Sequence, residues 1–89
     1  MSKKLYVENL SRDTTSNDLH ELFSTVGTVV SVSILKRGQT GVVEMETHET
    51  AAAAIKTMNG YRLHERELKI EAIRLAEELG SDAMADQPG

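Results

Sequence analysis

The 89-residue sequence contains no cysteine. That excludes disulfides, thiolate nucleophiles and cysteine-ligated zinc, and it leaves a fold held by packing alone. No stretch approaches the roughly 18 consecutive apolar residues of a membrane span. Met1-Ser2-Lys3-Lys4 leads into a strand-like segment without the apolar region of a signal peptide, so a cytoplasmic protein with no membrane partner is expected. There is no glycine-rich loop to cradle a phosphate and no recognisable nucleophile, base and orienting group, so neither an enzyme nor a cofactor is expected. His20, His48 and His64 show neither the i, i+4 spacing nor the companion acid of a metal site, and they read as surface residues.

The formal net charge is -4, which argues against a strong electrostatic hold on a polyanion, since phosphate contacts supply most non-specific affinity. The excess is not spread evenly. Glu77, Glu78, Asp82 and Asp86 all lie beyond Leu75, so residues 1–74 carry ten Lys or Arg and ten Asp or Glu. A chain of this length suits one domain. We expect it to occupy residues 1–74, with residues 75–89 forming an acidic tail that begins as a short helix and is disordered from Gly80 onward.

Periodicity gives the element order. Lys4-Leu5-Tyr6-Val7-Glu8 alternates with period two, placing Leu5 and Val7 on one face and Lys4, Tyr6 and Glu8 on the other. Thr15 with Asp18 three residues later forms a capping box, and Leu19, Leu22, Phe23 and Val26 make one apolar stripe of a helix over residues 16–26 that Gly27 ends. Val29 to Leu35 is a β-branched strand with Val32 and Ile34 inward. Lys36-Arg37-Gly38-Gln39 turns it into an antiparallel third strand over residues 41–46. Thr47 caps a second helix with Ala51, Ala54, Ile55 and Met58 on its inner face, and Asn59-Gly60 ends it. Residues 67–72 alternate again as a last strand, with Leu68 and Ile70 inward. The order is βαββαβ, an α+β fold, and two helices with one apolar stripe each must cover the same sheet face, leaving the other open.

These residues resemble the RNA recognition motif family over about residues 3–74. The family's six-residue signature matches Leu5-Tyr6-Val7-Glu8-Asn9-Leu10, and its eight-residue signature falls on Gly38-Gln39-Thr40-Gly41-Val42-Val43-Glu44-Met45. Leu19-x-x-Leu22-Phe23 with Gly27, Ala51-x-x-Ala54-Ile55, Asn59-Gly60 and Leu68-x-Ile70 add to the likeness. The resemblance implies a ferredoxin-like sandwich with a four-stranded antiparallel sheet and two helices on one face. It also implies a small single-domain protein that binds single-stranded RNA.

Three exposed aromatics stack on splayed bases in that family. Tyr6 matches the first-strand position, but Thr40 and Val42 stand at the two third-strand positions, and Gly38 replaces the basic residue. At about 1–3 kcal/mol per stacked base, two missing platforms cost roughly 2–6 kcal/mol, from tens-fold to more than a thousandfold in affinity. The expected RNA contacts are Tyr6 with Thr40 and Val42 beside it, and Lys4, Arg37, Lys69 and Arg74, with Lys36, as a basic rim for phosphates. Glu8, Glu44 and Glu71 share the face and oppose a polyanion. The aliphatic Leu35 and Val42 suit a second reading, a protein-docking domain on the same fold with little or no RNA binding. Ile73, Leu75 and Leu79 offer a short helix that folds back over Tyr6 and Val42; a frayed tail is the alternative.

Overall fold

The computed structural model describes residues 3–35 and 39–73. Six strands and two helices follow in the order β1 (Lys4–Glu8), α1 (Ser16–Ser24), β2 (Val29–Leu35), β3 (Thr40–Met45), α2 (His48–Met58), β4 (Arg62–Leu63), β5 (Arg66–Glu67) and β6 (Lys69–Ala72). Four of the strands form one antiparallel sheet in the order β2-β3-β1-β6, which realises the expected βαββαβ pattern. β4 and β5 pair only with each other.

β1 holds the centre because its period-two pattern places Leu5 and Val7 fully inside. From α1, Leu19 and Phe23 are completely buried against them, and from β3 so are Val43 and Met45. The helix stripe read from spacing holds, with Leu22 and Val26 packing on this cluster from its margin. In α2, Ala51 and Ala54 are buried while Ala52 and Ala53 face out, so the alanine run lets that helix lie close to the sheet on one side only. A Cβ at Gly27 would run into the side chain of Thr50, so the end of α1 approaches the start of α2 too closely for any larger residue.

Both helix starts are capped as their sequences predict. The backbone N–H of Asp18 donates to Thr15 Oγ1 at 3.1 Å, and the Thr15 N–H donates to Asp18 Oδ2 at 3.0 Å, a complete capping box. The Thr50 N–H donates to Thr47 Oγ1 at 3.0 Å. α1 stops at Ser24, two residues short of the predicted end, because Thr25 turns back with both its N–H and its hydroxyl on the Leu22 carbonyl. β3 begins at Thr40 and ends at Met45, one residue earlier than predicted at each end.

The last strand is the main correction. Residues 67–72 do not form one strand: Glu67 belongs to the small β4–β5 hairpin, Leu68 joins no strand, and only Lys69–Ala72 enters the sheet. The hairpin turns through His64 (φ 52°) and Glu65 (φ 69°). Two successive positive φ values are the geometry of a type I′ turn, which usually advertises itself as Asn-Gly or Asp-Gly. His-Glu carries no such signal. Ile73, beyond β6, is buried and donates its N–H to the Lys4 carbonyl at 2.9 Å. Leu75, Leu79 and the acidic tail lie outside the described residues.

Asn9 is the other non-glycine residue with a positive φ among the described residues, at 68°, and its Nδ2 donates to the Glu67 carbonyl at 2.8 Å. Asn9→Ala loses that bond and leaves a Cβ in a left-handed conformation, for a loss of about 1–2 kcal/mol of stability. Asn9→Gly recovers the conformational part, and the two midpoints in chemical denaturation separate the contributions. Thr15→Ala removes the α1 cap and costs about 1 kcal/mol by the same assay.

Asp18 gives a pH signature. The Thr15 backbone N–H, and after it the His64 side chain, hold its carboxyl below the ordinary 3.8. A depressed folded-state value means the contribution is fully present above 3.8 and is lost as pH falls through the lower folded value. The stability gap between wild type and Asp18→Ala therefore narrows below that pH, as urea midpoints measured from neutral to strongly acid solution would register.

Candidate functional site

The open face of the sheet is arranged in rows fixed by the strand register. In the middle row Ser33, Val42, Tyr6 and Glu71 lie side by side on β2, β3, β1 and β6. Tyr6 is half-buried, with Val42 and Glu71 as its cross-strand neighbours on the two sides. Among the described strand positions of this face it is the one aromatic.

The rows on either side carry charge in opposed pairs. Lys4 faces Glu44 across β1 and β3, and the Ser31 hydroxyl donates to Glu44 Oε1 at 3.4 Å. Lys69 faces Glu8 across β6 and β1. Leu35 faces Thr40 across β2 and β3, and Leu35 is one of the few large apolar residues left exposed. Lys4, Tyr6, Thr40, Val42 and Lys69 are therefore brought onto one surface, together with the three carboxylates that sequence placed beside them. Arg37 and Arg74 lie outside the described residues. β3 can place Thr40 and Val42 flat against β1 because Gly41 between them faces inward. A Cβ there would come within 2.9 Å of Leu19 Cδ1 and 3.3 Å of the Ser33 carbonyl oxygen.

β2 is an outer strand, and its ladder is irregular between Val29 and Ser31, so Val30 drops out of the pairing and is more than half exposed. An irregular outer strand resists pairing with another chain.

One expectation about histidine is corrected. His64 does have a companion acid: its Nε2 lies 3.1 Å from Asp18 Oδ2, the oxygen that also caps α1. The partners are 46 residues apart, and only the left-handed hairpin turn brings them together, so spacing gave no sign of it. Among the described residues no group of three or more His, Cys, Asp or Glu comes together to hold a metal, and no described helix is long and apolar enough to cross a membrane.

Sequence reasoning also missed a cleft beside the face, at the end where β1 runs toward α1. It is bordered by Ser11, Arg12 and Thr14 on one side and by Ile34, Leu35 and Gln39 on the other. Of its lining, only the inward placement of Ile34 was readable beforehand, because a cleft between two loops has no periodic signal.

The model of the RNA recognition motif family matches residues 5–69. The chain is 39% identical over 71 residues to the RNA-binding protein lark of Drosophila melanogaster, covering 80% of this chain and 20% of that protein. It is 37% identical over 73 residues to a polyadenylate-binding protein of Encephalitozoon cuniculi, covering 78% of this chain and 14% of that one. The chain thus spans a fifth or less of those two relatives. With the putative RNA-binding protein RbpE of a Nostoc species it shares 36% identity over 83 residues, 86% of this chain and 84% of that protein. Among solved structures, a Sex-lethal protein and RNA complex superposes with a TM-score of 0.76 at 26% identity, over 83% of this chain and 48% of that one.

Proposed function

Because the chain belongs to the RNA recognition motif family, we propose that it is a single-stranded RNA-binding module in which the open sheet face is the platform and Tyr6 its one stacking residue. The observation that carries this reading is the middle row: one aromatic at the centre of an exposed sheet, between Val42 and Glu71. A base laid on Tyr6 meets the apolar Val42 on the β3 side, and Thr40 in the next row offers a hydroxyl where the family has a second ring. Relatives named as RNA-binding proteins, and the likeness to a domain solved with RNA, support the same class of ligand.

The electrostatics set the strength. Lys4 and Lys69 offer phosphate contacts, but each faces a carboxylate across the ladder, and Glu71 stands directly beside the stacking residue. Affinity is therefore modest and sensitive to salt, since phosphate contacts to the basic rim weaken as salt rises. A protein-docking domain is the competing reading, favoured by the exposed Leu35 and by the three carboxylates on the face.

The test is a titration of the isotope-labelled chain with mixed single-stranded RNA oligomers, paired with Tyr6→Ala. Removal of the ring should weaken binding by about fivefold to a hundredfold, the worth of one stacked base. Glu71→Gln should strengthen it, since it removes a negative charge from beside the base. Unchanged affinity in a folded Tyr6→Ala protein would sink the stacking mechanism, and absence of any saturable RNA binding at low salt would hand the lead to protein docking.

A further inference from the structure

The chain holds three asparagines, Asn9, Asn17 and Asn59, and of these Asn59 alone is followed by glycine. Asparagine is among the heat-labile residue types. Its side-chain carbonyl carbon can be attacked by the next residue's backbone nitrogen, and the attack is least hindered where that residue has no Cβ. Asn59 and Gly60 are both exposed at the C-terminal end of α2, and nothing lies within 4 Å of the place a Gly60 Cβ would occupy. Gly60 is suited to its position by its φ of 88° rather than by packing. The most reactive asparagine pair of the sequence is therefore open to solvent base and to water.

Its conformation is nevertheless held away from reaction. Asn59 Oδ1 accepts the Ile70 N–H at 2.9 Å, which turns the carboxamide toward β6. The Gly60 N–H, on the nitrogen that would attack, donates to the Leu68 carbonyl at 2.7 Å. Ring closure needs the Gly60 nitrogen to eclipse the Asn59 Cβ about the Cα–C′ bond, and the Asn59 ψ of 126° is far from that arrangement. These restraints belong to one connection. The Tyr61 N–H donates to the Met58 carbonyl at 2.9 Å and the Leu68 N–H to the Tyr61 carbonyl at 2.8 Å, so residues 59–61 are bonded both to the end of α2 and to the chain that enters β6. From outside, Asn9 Nδ2 holds the neighbouring Glu67 carbonyl at 2.8 Å.

We propose that Asn59 is a site of spontaneous deamidation that the fold keeps latched, modified only when the connection between α2 and β6 opens. In the open form a solvent base removes the Gly60 amide proton and the nitrogen bonds to Asn59 Cγ. The Cγ–Nδ2 bond then breaks, and ammonia leaves after taking a proton from water. Water opens the resulting cyclic imide at either carbonyl, giving an aspartyl residue at position 59 or an isoaspartyl residue whose chain runs through Cβ. Either product carries a new negative charge on the hollow that Asn59 shares with Lys69. The isoaspartyl form also lengthens the backbone by one carbon, which takes the acceptor away from the N–H of Ile70, the buried residue of β6. That form cannot latch again, so each opening that leads to it leaves a permanent mark.

The full chain is incubated in mildly alkaline buffer, folded and in parallel unfolded in guanidinium chloride, and conversion at each asparagine is followed by peptide mapping with mass spectrometry. In the unfolded chain Asn59 should convert well ahead of Asn9 and Asn17. In the folded chain its conversion should be at least about tenfold slower, because only the locally opened fraction reacts. Asn9→Ala, which releases the Glu67 carbonyl, should speed conversion of the folded chain about two- to tenfold and leave the unfolded rate unchanged. The isoaspartyl product, purified by chromatography, should exchange the Ile70 amide proton faster than the parent chain does. Equal rates in the folded and unfolded chains would overturn the latch, and no lead for Asn59 in the unfolded chain would overturn the site itself. A folded Asn9→Ala protein that converts no faster than wild type would overturn the opening of this connection as the gate.

Discussion

Everything in this domain depends on the register of β1. The strand is paired on both sides, with β3 and with β6, and its alternation buries Leu5 and Val7 under the sheet while it lifts Tyr6 above it. A slip of one residue would exchange those faces, burying Tyr6 with its hydroxyl and exposing two of the core's most completely enclosed side chains. The cost of exposing Leu5 and Val7, at about 1.5–3 kcal/mol for each side chain, is a large part of the stability of a domain this small. The same packing that holds the core together therefore fixes the position of the exposed ring. On the proposed reading, function and folding share one constraint, and no separate device is needed to present Tyr6.

The charges on the open face follow from that register as well. Because Lys4 lies across from Glu44 and Lys69 across from Glu8, cations and carboxylates are neighbours at cross-strand distances. Opposite charges in such positions contribute a few tenths of a kcal/mol to the sheet, and they also cancel much of each other's field. Residues 1–74 carry ten basic and ten acidic residues, whereas the described part of the open face carries two lysines and three carboxylates. A polyanion approaching such a face gains little long-range attraction. On the proposed reading, discrimination comes from short-range contacts at Tyr6 and Val42 rather than from the number of lysines.

How much of this was legible in the sequence depended on whether the feature is periodic. Strands β1 to β3, both helices, both caps and the inner faces were readable, because each repeats at two or at 3.6 residues or is marked by a capping residue. Lys4, Tyr6 and Lys69 were readable from alternation, which assigns a face before any register is known, whereas Thr40 and Val42 were placed only by the likeness to the family's eight-residue signature. What escaped was local and aperiodic. The β4–β5 hairpin turns at His-Glu, residues that adopt positive φ uncommonly, so the run from Glu67 looked like the start of one strand. The His64 and Asp18 contact follows from that turn, and it could not be inferred without it.

That hairpin, small as it is, holds together the described residues at the end of the sheet nearest the cleft. Its three polar attachments reach three different parts of the chain. The Glu67 carbonyl accepts Asn9 at the end of β1, His64 meets Asp18 at the start of α1, and Arg66 donates to Gln39 just before β3. Each joins exposed groups, so each is worth little singly. Together they tie the ends of two central strands and the first turn of a helix to one rigid two-residue turn, and the loss of any one leaves the others longer loops to close. Gln39 is itself a wall of the cleft, and its backbone carbonyl also holds Leu10. The shape of the cleft is accordingly set from outside it, by a hairpin that contributes none of its lining residues.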